Sequence, residues 1–306
     1  MRGEPAISRG TVRDSVEPNA PRPKLSVVLA TTDMWPDLAN CLALLEPQIA
    51  ALDAELIIGD GDGRGLPEDY PNPTGRVRWI REPGASVFQL RASGVALARG
   101  DIVALTEDHC VVAPDWCVSI LRAHAEHPEA LGIAGAIENG STDHLIDWAN
   151  YLQTFGAFAP PLDPRQRERA PLLANVSLKR AALPAEQMPP GWIELRLVPK
   201  LFRQGAFLAD PMILVRHVQS HGLFGTLSAH YHNGRSTTGL QKVRLSRRQM
   251  PLRVFRSTLR TLRGKPGLRS RLVTATPLLM ALSCCHAAGE VVGILAGPGH
   301  SPERLR

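Results

Sequence analysis

Apolar and polar positions alternate along this chain in blocks of two kinds, short solid runs and longer periodic stretches. Leu25–Thr31 (LSVVLAT) is a continuous β-branched and apolar run, the pattern of a strand buried on both faces. Thr32-Asp33 then stands as a cap before a helix over 35–51, with Pro36 tolerated in its first turn and Pro47 a kink point. Residues 55–59 (ELIIG) and Val77–Arg81 (VRWIR) are two further short strands. Pro83-Gly84-Ala85-Ser86 opens a helix to about 98, residues 101–106 form a fourth strand, and Pro114-Asp115-Trp116 starts a helix to about 124. Strands alternating with helices at this rhythm predict an α/β fold, a mainly parallel sheet flanked by helices.

Beyond this point the pattern loosens. Residues 131–138 predict a strand, 143–155 a helix, 159–170 a Pro- and charge-rich loop, and 172–178 an extended segment. Residues 191–204 carry a helical pattern disturbed by Pro199, and 206–209 and 212–215 two short strands. Two C-terminal stretches differ in kind. In 241–263, Val243, Leu252, Phe255 and Leu259 are set among arginines, a basic amphipathic pattern suited to an anionic membrane surface. Residues 272–296 carry His286 and Glu290 and no other acidic or basic side chain. That length spans a bilayer, but Pro277 and Glu290 make a poor spanning helix, so an interfacial or re-entrant hairpin is expected. The expected organisation is a disordered tail over 1–24, a catalytic domain over 25–240, and a membrane-associated tail over 241–306.

Composition refines this picture at three points. With 306 residues and 44% apolar content the chain has ample core. Five cysteines without framework spacing suit free thiols in a reducing compartment, and the first 24 residues lack the apolar core of a signal peptide, so a cytoplasmic location is expected. Net charge is +6, but eleven of the 35 Lys and Arg lie between Lys242 and Arg271, where there is no Asp or Glu. The remaining 24 face 29 acidic side chains, a balance that argues against a nucleic-acid-binding domain.

The candidate chemistry gathers where strands end. Glu107-Asp108-His109 follows the apolar run 102–105, and open α/β sheets bind ligands at the carboxyl ends of their strands. Carboxylates and an imidazole there suit a divalent metal, with the imidazole favouring Mn²⁺ over Mg²⁺. The competing reading is a polar loop in which His109 caps the next segment, and a zinc site from His109, Cys110 and Cys117 lacks a second close pair. Asp60-Gly61-Asp62-Gly63-Arg64-Gly65 fails as a dinucleotide loop, because Leu66 stands where the third Gly belongs, and as a calcium loop, because Arg64 and Pro71 replace ligands. What remains is Asp60 at a strand end, ligand-facing or an ordinary turn residue. Glu194 between Trp192 and Leu195 has the apolar surroundings that raise a carboxyl towards a useful base, or lies on a solvated helix face. His217, His221, His230 and His232, followed by Arg235, are dense enough for metal and phosphate or for an exposed polar helix.

In order and spacing, these residues resemble a family 2-like glycosyltransferase of the GT-A fold over about 25–235. LSVVLATTD matches that family's first strand and Thr-x-Asn turn, and ELIIGDGDG its strand ending in Asp-Asp-Gly-Ser, with Gly61 in place of the second Asp. Arg91-Ala92-Ser93-Gly94 and Ala98-Arg99-Gly100-Asp101 match the Ala-Arg-Asn-x-Gly…Ala-x-Gly-Asp run. Counting back from Pro114 places Glu107 and His109 on the family's Asp-x-Asp metal motif. Residues 174–180 look like its acceptor-side Asn-x-Ser-x-Arg segment, and Gly191-Trp192-Ile193-Glu194 its catalytic-base motif, with Leu195 replacing an Asp. No Gln-x-x-Arg-Trp motif follows, which speaks against a processive synthase.

The resemblance implies an inverting glycosyltransferase at the inner face of the plasma membrane, using a nucleotide-sugar donor and a glycan or lipid-linked acceptor. Glu194 would be the base. Glu107, His109 and His217 would hold Mn²⁺ or Mg²⁺, and Thr31, Asp60, Arg91, Asp108 and Arg235 would contact the nucleotide sugar. Two other classes compete: a degenerate, non-catalytic membrane scaffold, motivated by Gly61, His109 and Leu195, and a sugar-phosphate nucleotidylyltransferase. The latter needs a Gly-rich basic loop after the first strand, which TTDMWP does not supply.

Overall fold

The computed structural model describes residues 22–32, 37–63, 76–164, 169–184, 188–242, 251–262 and 264–305. Most of the expected N-terminal tail and residues 243–250 of the basic stretch therefore lie outside the described residues. Strands β1 (Leu25–Thr31), β2 (Ala54–Asp60), β3 (Val77–Arg81) and β4 (Ile102–Glu107) form a parallel block. Every residue of β1 and β2 is buried, as their unbroken apolar runs require. Helix α1 (Asp37–Ala51) packs on β2, and α2 (Val87–Leu97) on β1 and β2. Ser86 caps α2 with a reciprocal capping box involving Gln89.

The other half of the sheet is mixed. It contains β5 (Cys110–Val112), β6 (Gly132–Asn139), β7 (Asn175–Lys179) and β8 (Phe207–His217), and the whole sheet runs β3-β2-β1-β4-β7-β6-β8-β5. Strand β7 enters antiparallel to β4, and β5 closes the far edge antiparallel to β8. The two short strands expected over 206–215 are one strand, β8, with a bulge: Gly135 pairs Asp210 but Ala136 pairs Leu214. Asn175 fills the bulge, donating from Nδ2 to the carbonyls of Ala136 at 2.8 Å and Ile213 at 2.9 Å. Only Gly fits at 135, because a Cβ there would lie 2.2 Å from Asn175 Nδ2. Helix α3 (Trp116–Glu126) covers β6 and β8.

Four helices close the carboxyl side: α4 (Leu145–Thr154), α6 (Gly222–Gln241), α7 (Pro251–Leu262) and α8 (Arg269–Ala296). Between β7 and β8 a π-helical turn at Ile193–Leu197 continues into the short helix α5 (Val198–Arg203), with Pro199 in its first turn, where a missing N–H costs nothing. The expected hairpin in 272–296 is instead one uninterrupted helix, α8, with Pro277 inside it. The carbonyl that Pro277 leaves without a helical donor belongs to Val273, which is 72% exposed. Pro266–Ala296 is long and apolar enough to cross a membrane. One face of it, through Ala275, Leu279, Leu282 and Ala287, is nevertheless buried against the domain.

Candidate active site

Three strand ends and one turn assemble the site. Strand β4 delivers Glu107, and a tight turn through Asp108 and His109 leads into β5. Cys110 of β5 pairs with His217 at the end of β8, and the Val218 N–H donates to the His109 carbonyl at 2.9 Å. This ladder brings together two imidazoles 108 residues apart: their Nε2 atoms are 2.9 Å from each other. Glu107 Oε2 lies 3.2 Å from His109 Nε2 and 3.3 Å from His217 Nε2. Phe155, at the end of α4, stacks on the His217 ring with centroids 4.3 Å apart.

Each member is held from behind. Asp108 Oδ1 accepts from His109 Nδ1 at 2.7 Å, which turns Nε2 towards Glu107. Asp108 Oδ2 accepts from the Thr31 hydroxyl at 2.6 Å, tying this relay to the end of β1. On the other side, Arg91 of α2 donates from Nη2 to Glu107 Oε1 at 2.5 Å and from Nη1 to Glu194 Oε1 at 3.4 Å. Glu107 therefore uses one oxygen for Arg91 and offers the other to the imidazoles. Glu194 stands on the π-helical turn, a departure from regular helix common at functional sites. Its Oε2 is buried without a hydrogen-bond partner among the described residues.

The electrostatics follow from burial and these contacts. Burial would raise the Glu107 carboxyl, but hydrogen bonds from both imidazoles and the Arg91 charge hold it well below the usual range. Burial also opposes a charge on His109, yet its bonds to Asp108 and Glu107 raise it to about 10. Burial first, then the His109 cation, depress His217 to about 4. Burial raises Glu194, against the opposing pull of Arg91.

The three donors suit a divalent cation. Their mutual spacing of 2.9 to 3.3 Å matches that of neighbouring ligands on an ion with bonds of ~2.1 Å. Glu107 Oε2, His109 Nε2 and His217 Nε2 converge on one point, where a cation could bind all three. One carboxylate with two imidazoles favours Mn²⁺ over Mg²⁺, which prefers oxygen.

These groups line one cavity of ≈ 580 Å³, which also takes in Ala30, Thr32, Phe88, Arg91 and Glu194. Among the expected nucleotide contacts, Arg91 and Asp108 line it, but Thr31, Asp60 and Arg235 do not. Thr32 lines it in place of Thr31, whose hydroxyl is spent on Asp108. Asp60 is fully buried, accepting from the Gly63 N–H at 2.7 Å and from Trp79 Nε1 at 3.3 Å. Arg235 donates to the Gly297 carbonyl at 3.1 Å, holding the segment after α8 against α6. The Asn-x-Ser segment read as acceptor-side points into the structure: Trp116 Nε1 donates to Asn175 Oδ1 at 2.9 Å, and Ser177 pairs with buried His124 at 2.9 Å. Phe155, Asn150 and Gln153, at and near the end of α4, also line the cavity and were not among the residues expected there. The available signal was a pair of amides three residues apart, which puts them on one face of the helix.

No protein-family profile matches the chain. A curated relative, "Putative glycosyltransferase EpsH" of Bacillus subtilis (strain 168), is 24% identical over 136 residues, covering 44% of this chain. The chain spans 39% of that relative's length. Among solved structures it is similar to the mannosyltransferase PcManGT from Pyrobaculum calidifontis in complex with GDP-Man and Mn²⁺ (TM-score 0.43, 14% identity, covering 90% of this chain and 76% of that one). It is also similar to glucosyl-3-phosphoglycerate synthase from Mycobacterium tuberculosis with Mn²⁺, UDP-glucose and phosphoglyceric acid (0.43, 16%, 66% and 74%). A third is S. aureus TarS 1-349 (0.44, 11%, 89% and 90%). Glycosyltransferases thus stand among both the sequence relatives and the structural neighbours.

Proposed function

We propose that the chain is an inverting glycosyltransferase that moves a sugar from a nucleotide-sugar donor to a hydroxyl of a glycan or lipid-linked acceptor at the cytoplasmic membrane face. The observation that carries this reading is the joining, through Arg91, of a three-donor metal cluster to a buried carboxylate with a free oxygen. Glu194 Oε2 takes the acceptor proton as the acceptor oxygen bonds to the anomeric carbon and the bond from that carbon to the diphosphate breaks. Glu107, His109 and His217 would hold a divalent metal, which when bound would supply positive charge near the departing diphosphate. Arg91 keeps Glu194 Oε1 occupied, so that its other oxygen is the basic one. Asp60 and Thr31 support the nucleotide end from behind, through the strand ends they pin, while Thr32 and Phe88 face it.

Glu194→Gln tests the assignment. Transfer is expected to fall by roughly 10²–10⁴-fold, the range of general-base catalysis, with Mn²⁺-dependent thermal stabilisation by nucleotide diphosphates retained. Turnover near the wild-type level removes Glu194 from the chemistry, and a protein that responds to no nucleotide returns the scaffold reading.

A further inference from the structure

The cavity has a second end that neither the metal cluster nor Glu194 accounts for. It lies between α4, α6, α7 and α8, and its lining includes Asn150, Gln153, His230, Asn233, Ser257 and His286. A hydrogen-bonded chain sets the polarity of this wall. His230 Nε2 lies 2.9 Å from Asn150 Oδ1, His230 Nδ1 lies 3.1 Å from Gln153 Nε2, and Ser283 donates to Gln153 Oε1 at 3.1 Å. Because Asn150 accepts and Gln153 donates, the imidazole between them is neutral with its proton on Nε2. Burial first, then the charges of His286 and Arg169, agree, lowering it to about 3.

The same bonds decide what faces the cavity. The Asn150 oxygen is taken up by His230, and the Asn233 oxygen accepts from Thr237 at 3.4 Å, so both amides keep N–H donors for a ligand. Ser257 adds a hydroxyl from α7. No carboxylate is among the lining side chains of these four helices, and Arg169, which also lines the cavity, spends Nη1 on the Gln153 carbonyl, to which it donates. Phe155, Val254 and Leu305 supply apolar wall between the polar groups. Uncharged donors interleaved with apolar surface complement a sugar ring, with its hydroxyl rim and C–H faces, better than an anion or an apolar chain.

We infer that this end of the cavity is a subsite for the uncharged, hydroxyl-bearing sugar of the acceptor. The inference rests on the proposed glycosyl transfer and adds the residues and chemical class of its second substrate. It makes α7 and α8 working walls of the site.

The test uses the full chain, methyl glycosides of glucose, galactose, mannose and N-acetylglucosamine, and their octyl counterparts below micellar concentration. Binding is read by saturation-transfer NMR, and UDP and GDP with Mn²⁺ are followed separately by thermal shift. At least one glycoside is expected to bind. Asn233→Leu and Ser257→Leu, at exposed positions on different helices, should each weaken it by about fivefold, one hydrogen bond's worth, without altering the nucleotide response. An octyl glycoside tighter by about tenfold or more identifies a lipid-borne acceptor, and equal binding a free glycan. Glycoside binding untouched by both variants overturns the inference, as does its absence in a protein that responds to nucleotide. Glycoside binding without any nucleotide response leaves the sugar subsite standing and removes the transferase reading.

Discussion

At the scale of single residues, the site works by giving each polar atom one partner. Glu107 splits its oxygens between Arg91 and the imidazoles, and Asp108 splits its own between His109 and Thr31. Outer partners of this kind fix the ring that binds a metal. Asp108→Asn is therefore expected to weaken Mn²⁺ binding roughly 10–100-fold in calorimetry, with the fold intact by circular dichroism. A second residue-scale expectation concerns His124, on the buried face of α3 with its Nε2 on Ser177. Burial, with a smaller contribution from Lys179, lowers it to about 4. Above pH 6.5 the ring is neutral in both folded and unfolded chains and carries no penalty. As pH falls from 6.5 towards 4 only the unfolded chain takes up the proton, so stability declines by up to ~1.4 kcal/mol per pH unit. Urea unfolding of wild type and His124→Asn across this window should show a shallower loss in the variant.

At the scale of elements, the first four strands and the helices between them were legible because each solves its own burial problem locally. The solid run of β1 and the capped, periodic α2 carry their structure in neighbouring residues. Strand β5 was not legible, since three residues carry no period, nor was the continuity of β8 through a bulge that the distant Asn175 fills. The α6–α8 pair was also hidden. Gly289 and Gly293 of α8 let the two backbones meet, and a Cβ on Gly289 would lie 2.0 Å from the Tyr231 carbonyl oxygen. Gly289→Ala is expected to lower stability by about 1–3 kcal/mol in urea unfolding, against the slight gain that Ala brings to an open helical site.

At the scale of the whole molecule, the C-terminal helices join two surfaces. The inner side of α7 is buried through Thr258 and Leu262, while Arg256 and Arg260 are exposed. On the neighbouring helices, Val273 of α8 and Phe224 of α6 are 72% and 83% exposed. Exposed basic and apolar groups on these C-terminal helices suit an anionic interface, at roughly 1 kcal/mol per cation. Co-sedimentation with phosphatidylglycerol-containing vesicles is expected to exceed that with neutral vesicles, to fall with salt, and to drop severalfold in an Arg256→Glu, Arg260→Glu double variant. Salt-independent binding equal on both vesicle types sets this surface aside.

The amino-acid sequence by itself determined the α/β character, the parallel block and the strand end where Glu107, Asp108 and His109 stand. Those are consequences of apolar periodicity, which acts between residues near in the chain. His217 was joined to them from the sequence only through the family resemblance. The tertiary structure supplied the register that sets it against Glu107 and His109, and it alone decided that Thr31 and Asp60 turn inward and that α7 and α8 wall the cavity. Such outcomes depend on strand register and helix contacts between residues 19 to 108 positions apart, where closeness follows from packing rather than from any local pattern.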